Sequence, residues 1–267
     1  MTSIHPFALS DVEGRTGLPA GPQRGLLNQG SPTTSATIAQ RLACEASWLG
    51  TIDYREAWQL QRRLAASRAS GDIPDTLLLL EHPPVYTTGK RNATRNLRLP
   101  RELLGAPLIE TDRGGDITFH GPGQLVAYPI IDLRAAGLGV VDYVRKLEQA
   151  IIRALADYAI EAGVESGRTG VWVDSGKIAA IGVRVSRLGG MGGAWVTTHG
   201  LALNVNVDLS WFQRIIPCGI ADRGVTSMAK VLGRGLDVRQ VGERLALRFG
   251  DVFGRDISAA PATLASM

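Results

Sequence analysis

Residues 108–133 read LIETDRGGDITFHGPGQLVAYPIIDL and contain the pattern that decides the fold. Two short strand-like pieces lie on either side of Gly114 and Gly115, and LVAYPIIDL at 125–133 is a third, longer segment of strand character. Upstream, the apolar run TLLLLEH at 76–82 is closed by two prolines, which is typical of a strand buried on both faces. This succession of strands predicts a β-sheet at the centre of the protein.

Outside this region the chain continues to alternate between strand and helix patterns. Further strand candidates are VYTTGK at 85–90, GVWVD at 170–174, KIAAIGVRVS at 177–186 and GLALNVNVD at 200–208. Apolar residues at helical spacing predict three helices, at 54–69, 140–160 and 238–253. Asp53 is the expected N-terminal cap of the first of these helices. We therefore predict a single α/β domain of the α+β type, in which a mixed β-sheet is flanked by helices.

The two ends of the chain differ from the centre. Gly, Pro, Ser and Thr cluster before residue 40, without apolar periodicity, so residues 1–43 are predicted to be a disordered extension. Asp11 and Glu13 argue against an organelle-targeting segment, which should be poor in acidic residues. We expect the folded domain to span 44–255 and residues 256–267 to form a flexible tail.

Composition excludes several classes of protein. With 45% apolar and 20% charged residues the chain can bury a substantial core, and no apolar run approaches the ~18 residues of a membrane span. The net charge of +4 comes from scattered arginines, so nothing calls for nucleic acid as a partner. Two cysteines are too few for a disulfide scaffold, and the four histidines lack ligand spacing, so we expect a cytoplasmic protein without a metal site.

Cys218 and Lys177 are the candidates for chemistry. Cys218 lies between Pro217 and Gly219, which hold it on a shaped turn that a substrate can approach, although a lone cysteine is usually inert and buried. A thiol is mostly protonated at neutral pH and needs a nearby base or cation. Lys177 opens an apolar strand, where partial desolvation favours proton transfer; otherwise it is a strand-end lysine in solvent. Cys44 is interpreted as a packing residue.

The segment 113–124 is dense in glycine and has His120 at its centre. Such density implies that a ligand or another strand approaches the backbone closely. Neither common phosphate-loop pattern is present, so the segment is not a nucleotide phosphate site. His120 is a candidate ligand contact or a structural residue, and His82 and His199 are interpreted as structural.

Four long segments, in this order and spacing, resemble the lipoyl(octanoyl) transferases, which share a fold superfamily with biotin and lipoate protein ligases. The segments are RGGDITFHGPGQLVAYPIIDLR, GRTGVWVDSGKIAAIGVRVSR, THGLALNVNVDL and IIPCGI, and the resemblance covers roughly residues 44–253. It implies a biotin/lipoate protein ligase-like catalytic domain. It also implies transfer of an octanoyl group from octanoyl-acyl carrier protein to a specific lysine of lipoyl domains in 2-oxoacid dehydrogenase complexes and the glycine cleavage H protein.

The same resemblance assigns roles to residues. The acyl-thioester cysteine falls on Cys218, and the lysine that activates the thiol and shuttles the proton falls on Lys177. A thioester donor needs no ATP, so no cofactor is expected, and the protein is expected to be a monomer. The acyl-binding segments fall on Arg113, Gly114, Gly115, Asp116, Ile117, Thr118, Phe119, His120, Ala180, Ile181, Gly182, Gly200, Leu201 and Ala202.

Two other functions remain open at this point. An ATP-dependent lipoate or biotin ligase would use a lysine without a cysteine, and a noncatalytic scaffold would bind acyl carrier protein or lipoyl domains. Donors for the oxyanion are expected around Gly219 or near Lys177 and His120. LGGMGGA at 188–194 departs from the family pattern as an insertion, which we expect to form a flexible loop beside the acyl site.

Overall fold

The computed structural model describes residues 41–90, 94–216 and 223–261. The described strands are β1 Leu42–Thr51, β2 Asp75–Glu81, β3 Val85–Thr88, β4 Leu108–Glu110, β5 Thr118–His120, β6 Gln124–Ile130, β7 Gly163–Glu165, β8 Arg168–Val173, β9 Gly176–Leu188, β10 Ala194–Asn204, β11 Gly224–Val225 and β12 Arg255–Ala259. The helices are α1 Tyr54–Ser70, α2 Val140–Ala156, α3 Met228–Leu232 and α4 Val238–Phe253. None of these helices is long and apolar enough to cross a bilayer.

The strands form one large mixed sheet and one small sheet. The large sheet has the order β12-β1-β2-β6-β10-β9-β8-β7, and β11 pairs with β9. Its β12–β1, β1–β2 and β11–β9 pairs are parallel, and its other pairs are antiparallel. The small sheet has the order β4-β3-β5. The predicted α/β domain with a mixed sheet flanked by helices is confirmed, but VYTTGK lies in a second sheet.

The leucine run of β2 explains why the large sheet is covered on both faces. Leu78 and Leu80 pack with α1 on one face, while Leu77 and Leu79 pack with α2 and α4 on the other. All four side chains are buried, because successive residues of a strand point to opposite faces. An uninterrupted apolar run is therefore what this central strand requires.

The first helix begins and ends at the expected residues. The Asp53 carboxylate accepts a hydrogen bond from the Arg55 N–H at 2.7 Å, which satisfies one of the free donors of the first turn. At the other end, Gly71 has φ 86° and closes α1 in the left-handed conformation that suits glycine. Local sequence thus determines both ends of α1.

The second helix is shorter than predicted. It ends at Ala156, not near residue 160, because Ala159 turns the chain with φ 57°. The Ile160 N–H then donates to Leu155 O at 3.1 Å, in the pattern that terminates many helices. Ile160 is buried as a result, so the apolar spacing that suggested a longer helix belongs to this terminating turn.

The segment 188–194 does not form a flexible loop beside the proposed acyl site. Strands β9 and β10 pair in an unbroken register from Ala179↔Leu203 to Leu188↔Ala194, so residues 189–193 form the tip of a long hairpin. The tip lies six residues along β9 from Gly182, or about 20 Å. Strand β10 accordingly starts at Ala194 and ends at Asn204, whereas the sequence predicted 200–208.

The predicted flexible tail at 256–267 is wrong for its first residues. Residues Arg255–Ala259 form β12, which pairs in parallel with β1 at the edge of the large sheet. The Arg255 side chain is buried and donates to the Asp75 carboxylate at 2.8 Å, which ties β12 to β2. Strand β1 begins at Leu42, so the folded domain starts two residues before the predicted boundary; residues 1–40 and 262–267 lie outside the described ranges.

Candidate active site

A pocket that is partly open to solvent lies where the small sheet meets β9 and β10 of the large sheet. Strand β9 contributes Ala180–Gly182, strand β10 contributes Gly200–Ala202, and the loop leading to β5 contributes the other wall. The lining residues are Tyr54, Arg113, Gly115, Asp116, Thr118, His120, Tyr128, Ala180, Ile181, Gly182, His199, Gly200, Leu201 and Ala202. Most of the predicted acyl-binding residues therefore surround a single pocket.

Three predicted residues lie outside this lining. Gly114 lines an adjoining cleft. Ile117 and Phe119 are buried in the core beneath the small sheet, where the Phe119 ring stacks on Trp211 at a centroid distance of 4.9 Å. The alternation of a strand explains the difference, because Thr118 and His120 point to the pocket and their neighbours to the core.

Glycine at two positions allows the walls of the pocket to approach each other. A Cβ on Gly182 would lie 2.8 Å from Gly114 O, and a Cβ on Gly200 would lie 2.1 Å from Ala127 O. Both neighbours are backbone atoms, which cannot move aside as the end of a side chain can. The glycine density of the sequence therefore reflects backbone-to-backbone contact around the pocket.

The Arg113 guanidinium shapes the loop wall. It donates to Thr87 O and to Asp116 O, each at 2.7 Å, and to Gly114 O at 3.0 Å. The side chain is buried, and these carbonyl oxygens use several donors of its fork. Arg113 consequently fixes the conformation of residues 113–116 against β3.

His120 is a neutral hydrogen-bonding residue in the pocket wall. The Gln124 amide donates to Asn204 Oδ1 at 2.9 Å, which directs its Oε1 atom towards His120 Nδ1 at 2.8 Å. This assigns the proton of the imidazole to Nδ1. Burial, together with the nearby His82, lowers the pKa of His120 well below 6.5. The ring therefore presents no positive charge to a ligand at neutral pH.

Tyr54, Tyr128 and His199 line the pocket, although no residue pattern singled them out. His199 has φ 56°, and its Nε2 atom lies 2.8 Å from Asp112 Oδ1. Desolvation by burial lowers the pKa of His199, while its hydrogen bond lowers the pKa of Asp112, so a neutral ring donates to a carboxylate. The interpretation of His199 as a structural residue missed its place in the pocket, although its position directly before Gly200 was an available signal.

His82 supports the same wall from behind. Its Nδ1 atom lies 2.7 Å from Ile52 O and its Nε2 atom 2.8 Å from Tyr128 Oη. The backbone oxygen can only accept, so the proton lies on Nδ1 and the Tyr128 hydroxyl donates to Nε2. Burial lowers the pKa of His82 from 6.5 to about 4. His82 is thus structural, as interpreted, and holds a tyrosine that lines the pocket.

Lys177 occupies the adjoining cleft, which shares Gly115, Asp116, Ile181 and Gly182 with the first pocket. Its side chain is buried, and Nζ donates to Thr169 O at 3.0 Å and lies 4.9 Å from the centre of the Trp172 ring. Lys177 lies near the start of β9, as the sequence predicted, but the alternative in which its side chain faces solvent is wrong. A buried lysine therefore lies beside the pocket between the sheets.

Cys218 and Gly219 lie outside the described residues, but both flanks of their segment are positioned. On one side, Ile216 N–H donates to Asn96 O at 2.7 Å, and the Asn96 amide donates to Asp116 at 2.9 Å. On the other side, β11 pairs Val225 with Lys177. One flank is therefore linked through Asn96 to Asp116, which lines the Lys177 cleft, and the other pairs with Lys177 itself.

The other cysteine and the metal question are simpler. Cys44 is fully buried in β1, and burial raises the pKa of its thiol, as expected for a packing residue. Across the described ranges, no group of three or more His, Cys, Asp or Glu side chains is arranged to hold a metal ion.

Comparisons with known proteins agree with this geometry. Residues 53–250 match the model of the lipoyl protein ligase A/B catalytic domain. An octanoyltransferase of Rubrobacter xylanophilus is 51% identical over 210 residues, which are 77% of this chain and 91% of the relative. An octanoyltransferase of Mycobacterium tuberculosis is 52% identical over 211 residues, 78% of this chain and 86% of the relative. The chain belongs to the octanoyltransferase family.

The fold of this octanoyltransferase family member is similar to solved structures of lipoate protein ligases. A lipoate-protein ligase A bound with ATP superposes with a TM-score of 0.66 at 16% identity, over 84% of this chain and 93% of that one. A lipoate protein ligase from Thermoplasma acidophilum gives a TM-score of 0.64 at 16% identity, with the same coverage. The predicted ligase-like fold is therefore confirmed by its similarity to lipoate protein ligases.

Proposed function

We propose that this member of the family transfers an octanoyl group from octanoyl-acyl carrier protein to a specific lysine of lipoyl domains, through a thioester on Cys218. The acceptors are the lipoyl domains of 2-oxoacid dehydrogenase complexes and the glycine cleavage H protein. The donor is already a thioester, so the reaction consumes no ATP and needs no other cofactor. The protein acts as a monomer in the cytoplasm.

One observation carries this proposal. On one flank of the Cys218 segment, Ile216 contacts Asn96, which donates to Asp116 in the lining of the Lys177 cleft; on the other flank, Val225 pairs with Lys177. This cleft shares a wall with the pocket between the sheets. A cysteine acyltransferase needs a base for its thiol and a pocket for its acyl chain, and Lys177 and the pocket between the sheets can supply these.

The pocket suits an unbranched acyl chain. Ala180, Ile181, Leu201 and Ala202 supply apolar wall, and the imidazoles of the lining are neutral at pH 7 because burial lowers their pKa values. Each methylene removed from water contributes about 0.8 kcal/mol to binding. A chain of eight carbons would gain several kcal/mol there without meeting an imidazolium.

The reaction proceeds in two balanced transfers. Lys177 in its amine form takes the proton of the Cys218 thiol, and the thiolate attacks the donor carbonyl. A C–S bond forms to Cys218, the C–S bond to phosphopantetheine breaks, and Lys177 gives the proton to the departing thiol. The acceptor amine then attacks the acyl-enzyme and passes a proton to Lys177, and the C–S bond to Cys218 breaks. Lys177 returns the proton to Cys218, and backbone N–H groups around Gly219 or near Lys177 and His120 hold the oxyanion.

The direct test is a covalent adduct on the intact protein. After incubation with octanoyl-acyl carrier protein, mass spectrometry should detect one added octanoyl group. Cys218→Ala should abolish the adduct, and Cys44→Ala, which removes the buried cysteine, should retain it. An unmodified wild-type protein in the presence of active donor would rule out the thioester mechanism.

The adduct assay and a pyrophosphate-exchange assay together separate the two rival functions. An ATP-dependent ligase would catalyse octanoate-dependent exchange of pyrophosphate into ATP and would not need Cys218. A scaffold would bind octanoyl-acyl carrier protein without acquiring the adduct. We expect no exchange and a stoichiometric adduct.

Lys177→Arg tests the proton transfer. Arginine keeps a positive charge near the thiol but cannot give up its proton at accessible pH. We expect the rate of octanoyl transfer to fall by about 100-fold or more. A variant with a near-normal rate would exclude Lys177 as the acid and base.

A further inference from the structure

Glu148 is a buried carboxylate that the mechanism above does not use. It lies on α2 with its side chain 1% exposed. One carboxylate oxygen pairs with Arg145, whose side chain is 57% exposed, at 2.7 Å. The other oxygen accepts a hydrogen bond from Gly170 N–H at 3.0 Å. A carboxylate is withdrawn from water in this way only when its partners compensate for the lost hydration.

The donor to Glu148 belongs to the same peptide group that holds Lys177. The peptide between Thr169 and Gly170 presents its N–H to Glu148 Oε1 and its carbonyl oxygen to Lys177 Nζ, each at 3.0 Å. A trans peptide points these two groups in opposite directions. This peptide therefore links the Glu148 carboxylate to the Lys177 amino group, and hydrogen bonds in such a series strengthen one another.

Gly170 makes this arrangement possible. It has φ 124°, a conformation in which residues with side chains are strained. A Cβ there would lie 2.6 Å from Ala179 O and 3.1 Å from Lys177 Cε. The glycine lets this part of β8 bring the peptide against the lysine side chain, and Glu148 holds the other side of the same peptide.

We propose that Glu148 is a positioning residue for Lys177, acting through the peptide group between Thr169 and Gly170. It does not touch the reacting atoms. Its contribution is to keep the Thr169 carbonyl oxygen directed at Lys177 Nζ, so that Nζ stays beside the Trp172 ring and in the cleft. This inference rests on the proposed role of Lys177 in proton transfer.

Two variants of similar size isolate the hydrogen bond. Glu148→Gln keeps an oxygen acceptor for Gly170 N–H, and Glu148→Met fills the space without one. Asp142→Asn is the control, since Asp142 is an exposed acid on the same helix. We expect Glu148→Met to lower kcat for octanoyl transfer on the order of 10- to 100-fold, with KM for octanoyl-acyl carrier protein within about twofold. Glu148→Gln should stay within about threefold of wild type, and the control should match it.

A spectroscopic readout makes the test independent of catalysis. The chain has four lysines, so protein labelled with ¹³C at lysine gives four ε-methylene signals, and Lys177→Arg assigns the one from Lys177. The nearby Trp172 ring should separate this signal from those of the exposed Lys90 and Lys230. In Glu148→Met it should move towards them, and in Glu148→Gln it should stay. Lys146, also on α2, reports whether the helix has shifted.

Several results would overturn the proposal. These are a wild-type rate or an unmoved Lys177 signal in Glu148→Met, an effect confined to KM, and a joint shift of the Lys146 and Lys177 signals, which would mean that α2 had repacked. Should Glu148→Met fail to fold, the Gly170 amide in the wild type decides: hydrogen exchange slowed by at least about 100-fold supports the link, and fast exchange refutes it. A missing Cys218 adduct would instead refute the proposed function and leave these signals readable.

Discussion

The neutral histidines of the pocket wall make the stability of the protein depend on pH, and His82 allows the size of the effect to be calculated. Burial lowers the pKa of His82 from 6.5 to about 4. Between these values the unfolded chain takes up a proton that the folded protein does not, so acidification favours unfolding. A pH of 5 lies about 1.5 units below the pKa of 6.5 in the unfolded chain, which corresponds to about 2 kcal/mol of stability at ~1.36 kcal/mol per unit. The contribution of His82 to the free energy of unfolding is fully present above pH 6.5 and is lost as the pH falls towards 4.

The measurement is urea unfolding of the wild type and of His82→Gln at pH 7 and pH 5, followed by circular dichroism. Glutamine keeps polar atoms near Ile52 O and the Tyr128 hydroxyl but does not titrate in this range. All other titrating groups are common to the two proteins, so the variant should lose about 2 kcal/mol less than the wild type on acidification. Equal losses, within about 0.5 kcal/mol, would show that His82 is protonated in the folded protein and would refute the reasoning.

Two further substitutions test the packing around the site. Gly200→Ala places a Cβ 2.1 Å from a backbone oxygen of β6, so we expect it to lower the free energy of unfolding by about 1–3 kcal/mol. Gly163→Ala, where a Cβ meets no atom within 4 Å, is the control, and equal urea midpoints for the two variants would contradict the close approach. Asp75→Ala leaves Arg68 and Arg255 without their shared carboxylate, and we expect a loss of about 3–5 kcal/mol in thermal unfolding. A loss below about 1 kcal/mol would mean that these ion pairs contribute little.

Elements with a strong local pattern were predictable from the sequence. The leucines of β2 and the cap at Asp53 determine their elements from neighbouring residues alone, and both are observed. Strand β12 was missed because RDISA has no apolar run; its place depends on pairing with β1 and on the bond from Arg255 to Asp75, which is 180 residues away in the chain. Partners so distant in sequence leave no periodic signal.

The residues of the candidate site also include some that the sequence identified and some that it missed. Lys177 was identifiable because a lysine at the head of an apolar strand is unusual in a chain that has four lysines. Tyr54 was not, because it looks locally like a residue of an ordinary helix start, and the signal for His199 was only its position directly before Gly200. They reach the pocket only because α1 packs on β10, and because His199 adopts a left-handed backbone conformation that no sequence pattern announces.

The glycines affect both the fold and the candidate site. A glycine-rich segment indicates that something approaches the backbone, but it does not say whether that is a ligand or another strand. Here both answers hold at one place: Gly182 contacts the backbone at Gly114, and the space beside this crossing is the pocket. Side chains at the crossing would push the small sheet away from β9 and open the wall to water. The width of the pocket is therefore determined by backbone contact between two sheets, so its glycines serve the fold and the acyl site through the same contacts.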